Sequence, residues 1–130
     1  MDNNVLIIDD DEELCAELLE ILNDEGFQVS VASSGAQGQG LIKDHQYGLI
    51  ILDLKLGETS GIDVLKMIRR QNHQQKVLVF SGKPLGKELK ALPDAEREST
   101  DVVMKLADAV LNKPVQIDIL LKKVKELAAV

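Results

Sequence analysis

Five residues able to do chemistry stand where short apolar runs break off. Val5-Leu6-Ile7-Ile8 stops at Asp9-Asp10, Leu49-Ile50-Ile51-Leu52 at Asp53, Val77-Leu78-Val79-Phe80 at Ser81, and a weaker run, Asp108 to Asn112, at Lys113. Each has an ordinary explanation alone: Asp53 as a turn residue, Ser81 as a loop hydroxyl, Lys113 as a solvated cation, and the adjacent Asp11 as a helix N-cap. Together they offer three carboxylates, a hydroxyl and an ammonium. Like charges ~4 Å apart repel by about 4 kcal/mol at an effective dielectric of about 20, so Asp9, Asp10 and Asp53 gathered together call for a cation. An oxygen-only set without histidine or thiolate suits a hard divalent ion such as Mg²⁺. Asp53, single at its strand end, is then available as a nucleophile towards a phosphoryl group, giving an aspartyl phosphate. The metal and Lys113 would neutralise the phosphoryl oxygens, and the Ser81 hydroxyl would donate to one of them.

The elements that must bring these residues together alternate in texture. After the first apolar run, Leu14, Leu18, Ile21 and Leu22 recur at helical spacing, with Glu12 and Glu13 early and Gly26 at the end. Gln28 to Ala32 reads as a second strand, and Ser34-Gly35 opens a helix to about Asp44, thinned by Gly38 and Gly40. A glycine-bearing loop from Leu54 to Gly61 leads to a helix with Ile62, Leu65 and Ile68 on one face. The stretch Gly82 to Ser99 is polar and broken by Pro84 and Pro93, with a short helix around Gly86–Ala91 and a helical turn at Thr100–Leu106. A last helix, from about Val115, carries Ile117, Leu120, Leu121, Val124 and Leu127. Strands that are apolar throughout, rather than alternating, indicate a sheet buried on both faces. Right-handed crossovers then give a five-stranded parallel, doubly wound α/β fold with helices on both faces. In such a sheet the functional crevice lies beyond the carboxyl ends of the strands, where these five residues fall.

Composition narrows the field further. The 130 residues suit one domain, and a 45% hydrophobic fraction supports a core. A net charge of −7 argues against nucleic acid or an anionic membrane as partner, since both need a basic face. There is no membrane-length apolar run, and the start MDNNVLIIDDDEEL lacks the order of a secretion signal. The single cysteine, Cys15, has no internal disulfide partner and reads as a core residue of the first helix.

This constellation resembles the receiver domain of bacterial two-component response regulators over nearly the whole chain. VLIIDDDEEL matches the first strand and acidic pair, ILDLKLGETSG the phosphoacceptor segment with its loop glycine at Gly61, VLVFSG the hydroxyl position at Ser81, and AVLNKPV the lysine at Lys113 followed by Pro114. Lys83-Pro84 is a second Lys-Pro dipeptide, but only Lys113-Pro114 follows an apolar strand and precedes an amphipathic helix; Lys83 stands at the rim. The resemblance implies a flavodoxin-like strand order, 2-1-3-4-5, and Mg²⁺ held by Asp9, Asp10, Asp53 and the backbone carbonyl of Lys55. It also implies a cis Lys113–Pro114 bond, and a sensor histidine kinase or histidine phosphotransfer protein as phosphoryl donor. On this view residues 1–130 form a cytoplasmic signalling switch, a monomer or weak homodimer, whose output is altered binding to a downstream protein. Its only catalysis would be its own Mg-dependent phosphorylation and slow autodephosphorylation. The sequence contains no output domain; the Met1 start fits a true N-terminus, and the chain is either a single-domain regulator or phosphorelay station, or the first piece of something longer.

Several residues depart from the family pattern. The interval from Ser81 to Lys113 is longer by about ten residues, placing an insertion at about 82–99 between strand four and helix four. It is either a tolerated surface loop or a partner-specific element; Ser81 would pull its Gly82–Lys87 part towards the phosphoryl group. The strand-five position that is often aromatic in receivers is Val110, and Gly57 stands where proline is common. Lys55 puts a cation two residues past Asp53, either solvated or an obstacle to an attacking water. An aspartate-nucleophile phosphatase would need an acid where Lys55 stands. A flavin protein would need a phosphate-cradling loop where DDDEE stands. A receiver used only for docking should have lost its acidic pair or its lysine, and both are present.

Overall fold

The computed structural model describes residues 3–56, 59–82, 102–103 and 105–128. Gly57, Lys83-Pro84, the expected helix near 86–91 and all but Gly82 of the 82–99 insertion lie outside the described residues.

Five strands form one parallel sheet: β1 (Asn4–Ile8), β2 (Gln28–Ala32), β3 (Leu49–Asp53), β4 (Val77–Ser81) and β5 (Ala109–Asn112). Their spatial order is β2-β1-β3-β4-β5, as the resemblance implies. Register is continuous across the sheet, with Ile7 beside Val31 and Ile51, Ile51 beside Leu78, and Leu78 beside Ala109. Every residue of β3 and β4 is buried, the pattern expected of strands covered on both faces.

The helices α1 (Glu12–Asp24), α2 (Gly35–Asp44), α3 (Gly61–Gln71) and α4 (Ile117–Leu127) supply those covers. Alternate strand residues divide between them. Val5, Ile7, Ile51, Leu78 and Phe80 pack with Leu18 and Leu22 of α1 and Leu120 and Val124 of α4. Leu6, Ile8, Ile50, Leu52 and Val79 pack with Val64, Leu65 and Ile68 of α3 and with Val103. Fully burying one such side chain contributes about 1.5–3 kcal/mol, so these two faces fix the topology and with it the rim above β1, β3, β4 and β5.

Local signals set the helix ends. Asp11 caps α1, its carboxylate accepting from the Leu14 N–H at 3.1 Å, and Gly26 leaves the helix at φ 95°. Ser34 caps α2 through the Gln37 N–H at 3.1 Å. The glycines that thin α2 do not stop it: a Cβ on Gly38 would come within 2.7 Å of Ile8 Cδ1, so there glycine lets the helix approach β1 closely.

Three features differ from expectation. The loop after Asp53 contains a short antiparallel ribbon, Lys55–Leu56 with Thr59–Ser60, before α3. Strand β5 begins at Ala109, because the Asp108 carboxylate turns aside to accept from Arg69 and from the Val77 N–H, each at 2.8 Å. The last helix begins at Ile117 rather than Val115, after the Lys113–Pro114 bond, which is cis. Arg69, which the sequence pattern does not single out, also donates to the Leu106 carbonyl at 2.7 Å and to the carbonyls of His73 and Gln75. It ties α3 to the amino-terminal edge of β4 and β5. The expected turn near 100–106 is helical at residues 102–103 and 105–106.

Candidate functional site

The carboxyl ends of four adjacent strands carry the predicted residues. Asp9 follows β1, Asp53 ends β3, Ser81 ends β4 and Lys113 follows β5. One carboxylate oxygen each from Asp9, Asp10 and Asp53 lies within 4.8 Å of the others. Asp9 and Asp53 are buried and Asp10 is exposed, so the cluster has a closed floor and an open lip.

The carboxylates are held by fixed donors. Asp9 Oδ1 accepts from the Asp11 N–H at 3.0 Å, and Asp9 Oδ2 from Lys113 Nζ at 3.1 Å. Asp53 Oδ1 accepts from the Lys55 N–H at 3.2 Å, and Asp53 Oδ2 from the same Lys113 Nζ at 3.3 Å. The main chain of Lys113 is itself pinned, its N–H donating to the Ser81 carbonyl at 2.8 Å. Ser81 is buried at the end of β4 and pairs in register with Asn112.

The electrostatics follow from this crowding. Burial, reinforced by the Asp53 charge, pushes the Asp9 carboxyl above the ordinary aspartate value, and the Asp11 N–H and Lys113 only partly offset it. Burial works against the Lys113 ammonium, but its bond to Asp9 and the charges of Asp9 and Asp53 prevail and hold its pKa above the usual lysine value. A buried pair of acids with one lysine between them has spare negative charge. An all-oxygen donor set with an exposed lip fits a small hard dication, which keeps some of its water.

Sequence reasoning missed two supports of this cluster. The amide of Asp11 holds the acid of Asp9, although Asp11 was assigned only an N-cap role. Cys15, assigned to the core and indeed buried, also donates its thiol to the Asp9 carbonyl at 3.4 Å. Burial and the charges of Asp9 and Asp11 push that thiol up to about 11, so it stays protonated. The helical pattern flags Cys15 as inward-facing but gives no sign of its partner.

The acid cluster is not at the bottom of a large cavity. A cleft of about 820 Å³ opens at the opposite pole of the sheet, between residues 44–48 and 71–76, and contains none of these groups.

The sequence matches the family model of the response regulator receiver domain over residues 5–125. The chain belongs to this family. The receiver is similar to the transcriptional regulatory protein CpxR of Escherichia coli, 38% identical over 103 residues, which cover 79% of this chain and 43% of that protein. It is also similar to AlgB, the alginate biosynthesis transcriptional regulatory protein of Pseudomonas aeruginosa, 36% identical over 77 residues, or 59% of this chain and 17% of that one. The receiver thus spans less than half the length of these curated relatives. Among solved structures it resembles a CheY-like receiver domain protein from Methanospirillum hungatei, with TM-score 0.85 and 25% identity over 99% of this chain and 95% of that one. It also resembles the Thermotoga maritima response regulator TrrA, solved with Mg²⁺ and BeF, with TM-score 0.77 and 26% identity over 98% and 99% of the two chains. The fold and the acidic cluster of this receiver are those of a two-component signalling module. Among the described residues no helix is long and apolar enough to cross a membrane.

Proposed function

We propose that Asp53 accepts a phosphoryl group from a phosphohistidine of a sensor histidine kinase or histidine phosphotransfer protein, and that the modified receiver changes its affinity for a downstream protein. The observation that carries this reading is the meeting of Asp9, Asp10, Asp53 and Lys113 at one rim, from three segments far apart in sequence. An Asp53 carboxylate oxygen attacks phosphorus, the P–N bond to the imidazole breaks, and the released imidazole takes a proton from water. Asp9, Asp10, Asp53 and the Lys55 carbonyl would hold Mg²⁺. Bound there, the ion would neutralise charge on the phosphoryl oxygens.

Lys113 reaches Asp53 Oδ2 already, so a small movement carries its ammonium onto the incoming phosphoryl oxygens. Ser81, one strand over, supplies the hydroxyl. Hydrolysis reverses the modification: water attacks phosphorus and the bond to Asp53 breaks. The switching free energy must come from differential binding of the two conformers by the partner, not from phosphorylation as such. A cytoplasmic setting, a monomer or weak dimer, and a role for residues 82–99 in partner choice complete the proposal.

Intact-protein mass spectrometry after incubation with Mg²⁺ and a small phosphoramidate or acetyl phosphate tests it. One hydroxylamine-labile phosphoryl adduct is expected, absent after Asp53→Asn and absent in chelator. An adduct that persists in Asp53→Asn on another residue would displace Asp53 from its role.

A further inference from the structure

Gly61 opens α3 directly beneath the acceptor. Its N–H donates to the Leu54 carbonyl at 3.1 Å. A Cβ added to Gly61 would lie 2.5 Å from the Asp53 carbonyl oxygen, 2.5 Å from Leu54 Cα and 2.7 Å from the Leu54 carbonyl oxygen. All three are main-chain atoms, so no rotamer relieves the contact. Either the backbone at 53–54 or the start of α3 has to move. The demand is for space: among the described residues the glycine with a positive φ is Gly26, not Gly61.

The backbone that would move is the one that aims the site. Asp53 Oδ1 is fixed by the Lys55 N–H at 3.2 Å, and Lys55 pairs across the ribbon with Ser60, the residue before Gly61. The segment thus leaves the acceptor, turns, and lands on the main chain it left. We propose that Gly61 is a positioning residue for the acceptor. Its missing side chain seats α3 against Asp53–Leu54, and so sets the angle of the Asp53 carboxylate and the place of the Lys55 carbonyl. The inference rests on Asp53 being the metal-dependent acceptor.

Two other glycines provide matched controls. A Cβ on Gly38 meets only the Ile8 side chain, at 2.7–3.2 Å, whereas one on Gly40 meets nothing within 4 Å. Gly38→Ala should therefore strain packing under α2 without touching the acceptor backbone, and Gly40→Ala should strain nothing.

The experiment titrates the full chain with Mg²⁺ by calorimetry and records its melting temperature in chelator. It compares wild type, Asp53→Asn and the three glycine variants. Gly61→Ala is expected to weaken Mg²⁺ binding by about tenfold or more, because misplacement of a fraction of an ångström is costly at such a site. Gly38→Ala should lose melting temperature while its Mg²⁺ affinity stays within about twofold, and Gly40→Ala should leave Mg²⁺ affinity unchanged while gaining melting temperature, since alanine favours the helix there. Wild-type affinity in Gly61→Ala, or an affinity loss in Gly38→Ala of equal size at equal destabilisation, overturns the inference. Wild type that binds no Mg²⁺, or binds it as well after Asp53→Asn, overturns the acceptor reading itself. If Gly61→Ala does not fold, the wild-type amide spectrum decides: the Gly61 and Lys55 N–H signals should shift with Mg²⁺ at one midpoint. A Gly61 signal that stays still counts against the coupling.

Discussion

Lys113 Nζ lies 3.3 Å from Asp53 Oδ2, joining residues 60 positions apart in the chain. The same ammonium is 3.1 Å from Asp9 Oδ2, so one lysine counters two buried acids. On the proposed function, that arrangement would make Lys113 both a helper of the phosphoryl group and a rival of the cation.

Lys113→Met should separate these roles. Removing the competing ammonium should tighten Mg²⁺ binding by roughly fivefold, or about 1 kcal/mol. Phosphorylation should slow by at least about tenfold, through loss of a charge aimed at the phosphoryl oxygens. Calorimetric titration and the rate of adduct formation measure the two effects. Weaker Mg²⁺ binding in the variant would mean that Lys113 organises the acids rather than competing for them.

Asp9→Asn should raise the melting temperature in chelator by several degrees, for about 1 kcal/mol, since it removes one of two crowded buried carboxylates. The sign follows from the raised pKa of Asp9, whose cause is burial first and the Asp53 charge in support. A carboxyl with a raised folded pKa stabilises fully below its unfolded value, and that contribution is lost as pH rises through the folded value. The advantage of the asparagine should accordingly be present near neutrality, shrink as pH falls through the raised folded value of Asp9, and be gone below the ordinary aspartate value. Mg²⁺ should no longer stabilise the variant. Thermal melts from acid to neutral pH, with and without Mg²⁺, provide the check; a variant less stable than wild type in chelator at neutral pH would contradict it.

Arg69→Ala should destabilise the receiver by roughly 2–3 kcal/mol, because a largely buried guanidinium loses three carbonyl partners and Asp108. The cluster sits at the amino-terminal edge of the sheet, away from the acids, so Mg²⁺ affinity should stay within about twofold. Urea unfolding paired with Mg²⁺ titration distinguishes this from a general collapse of the site.

Lys55 holds the Asp53 carboxylate through its main chain, with its side chain exposed. Lys55→Ala should leave Mg²⁺ affinity within about twofold. Lys55→Pro, which removes the N–H donated to Asp53 Oδ1, should weaken binding by about tenfold or more. Equal behaviour of the two variants would show that the amide is unimportant.

Much of this receiver was legible as a string. The uninterrupted apolar runs of β3 and β4 could only be strands covered on both sides, and parallel strands necessarily bring Asp9, Asp53, Ser81 and Lys113 to one rim. The caps at Asp11 and Ser34 and the exit at Gly26 are local rules that act within a few residues. What pattern could not supply were contacts between groups distant in sequence. Nothing in the pattern singled out Arg69, which the fold brings beside Leu106 and Asp108. Gly38 looked like a weakness in α2 until Ile8 was found against it. The short ribbon before Gly61 and the thiol of Cys15 on the Asp9 carbonyl likewise have no signature in composition or period. Periodicity reports which side of an element is buried. Only chain packing in three dimensions decides what each buried atom meets, and the distances by which one lysine reaches two acids belong to that second kind of information.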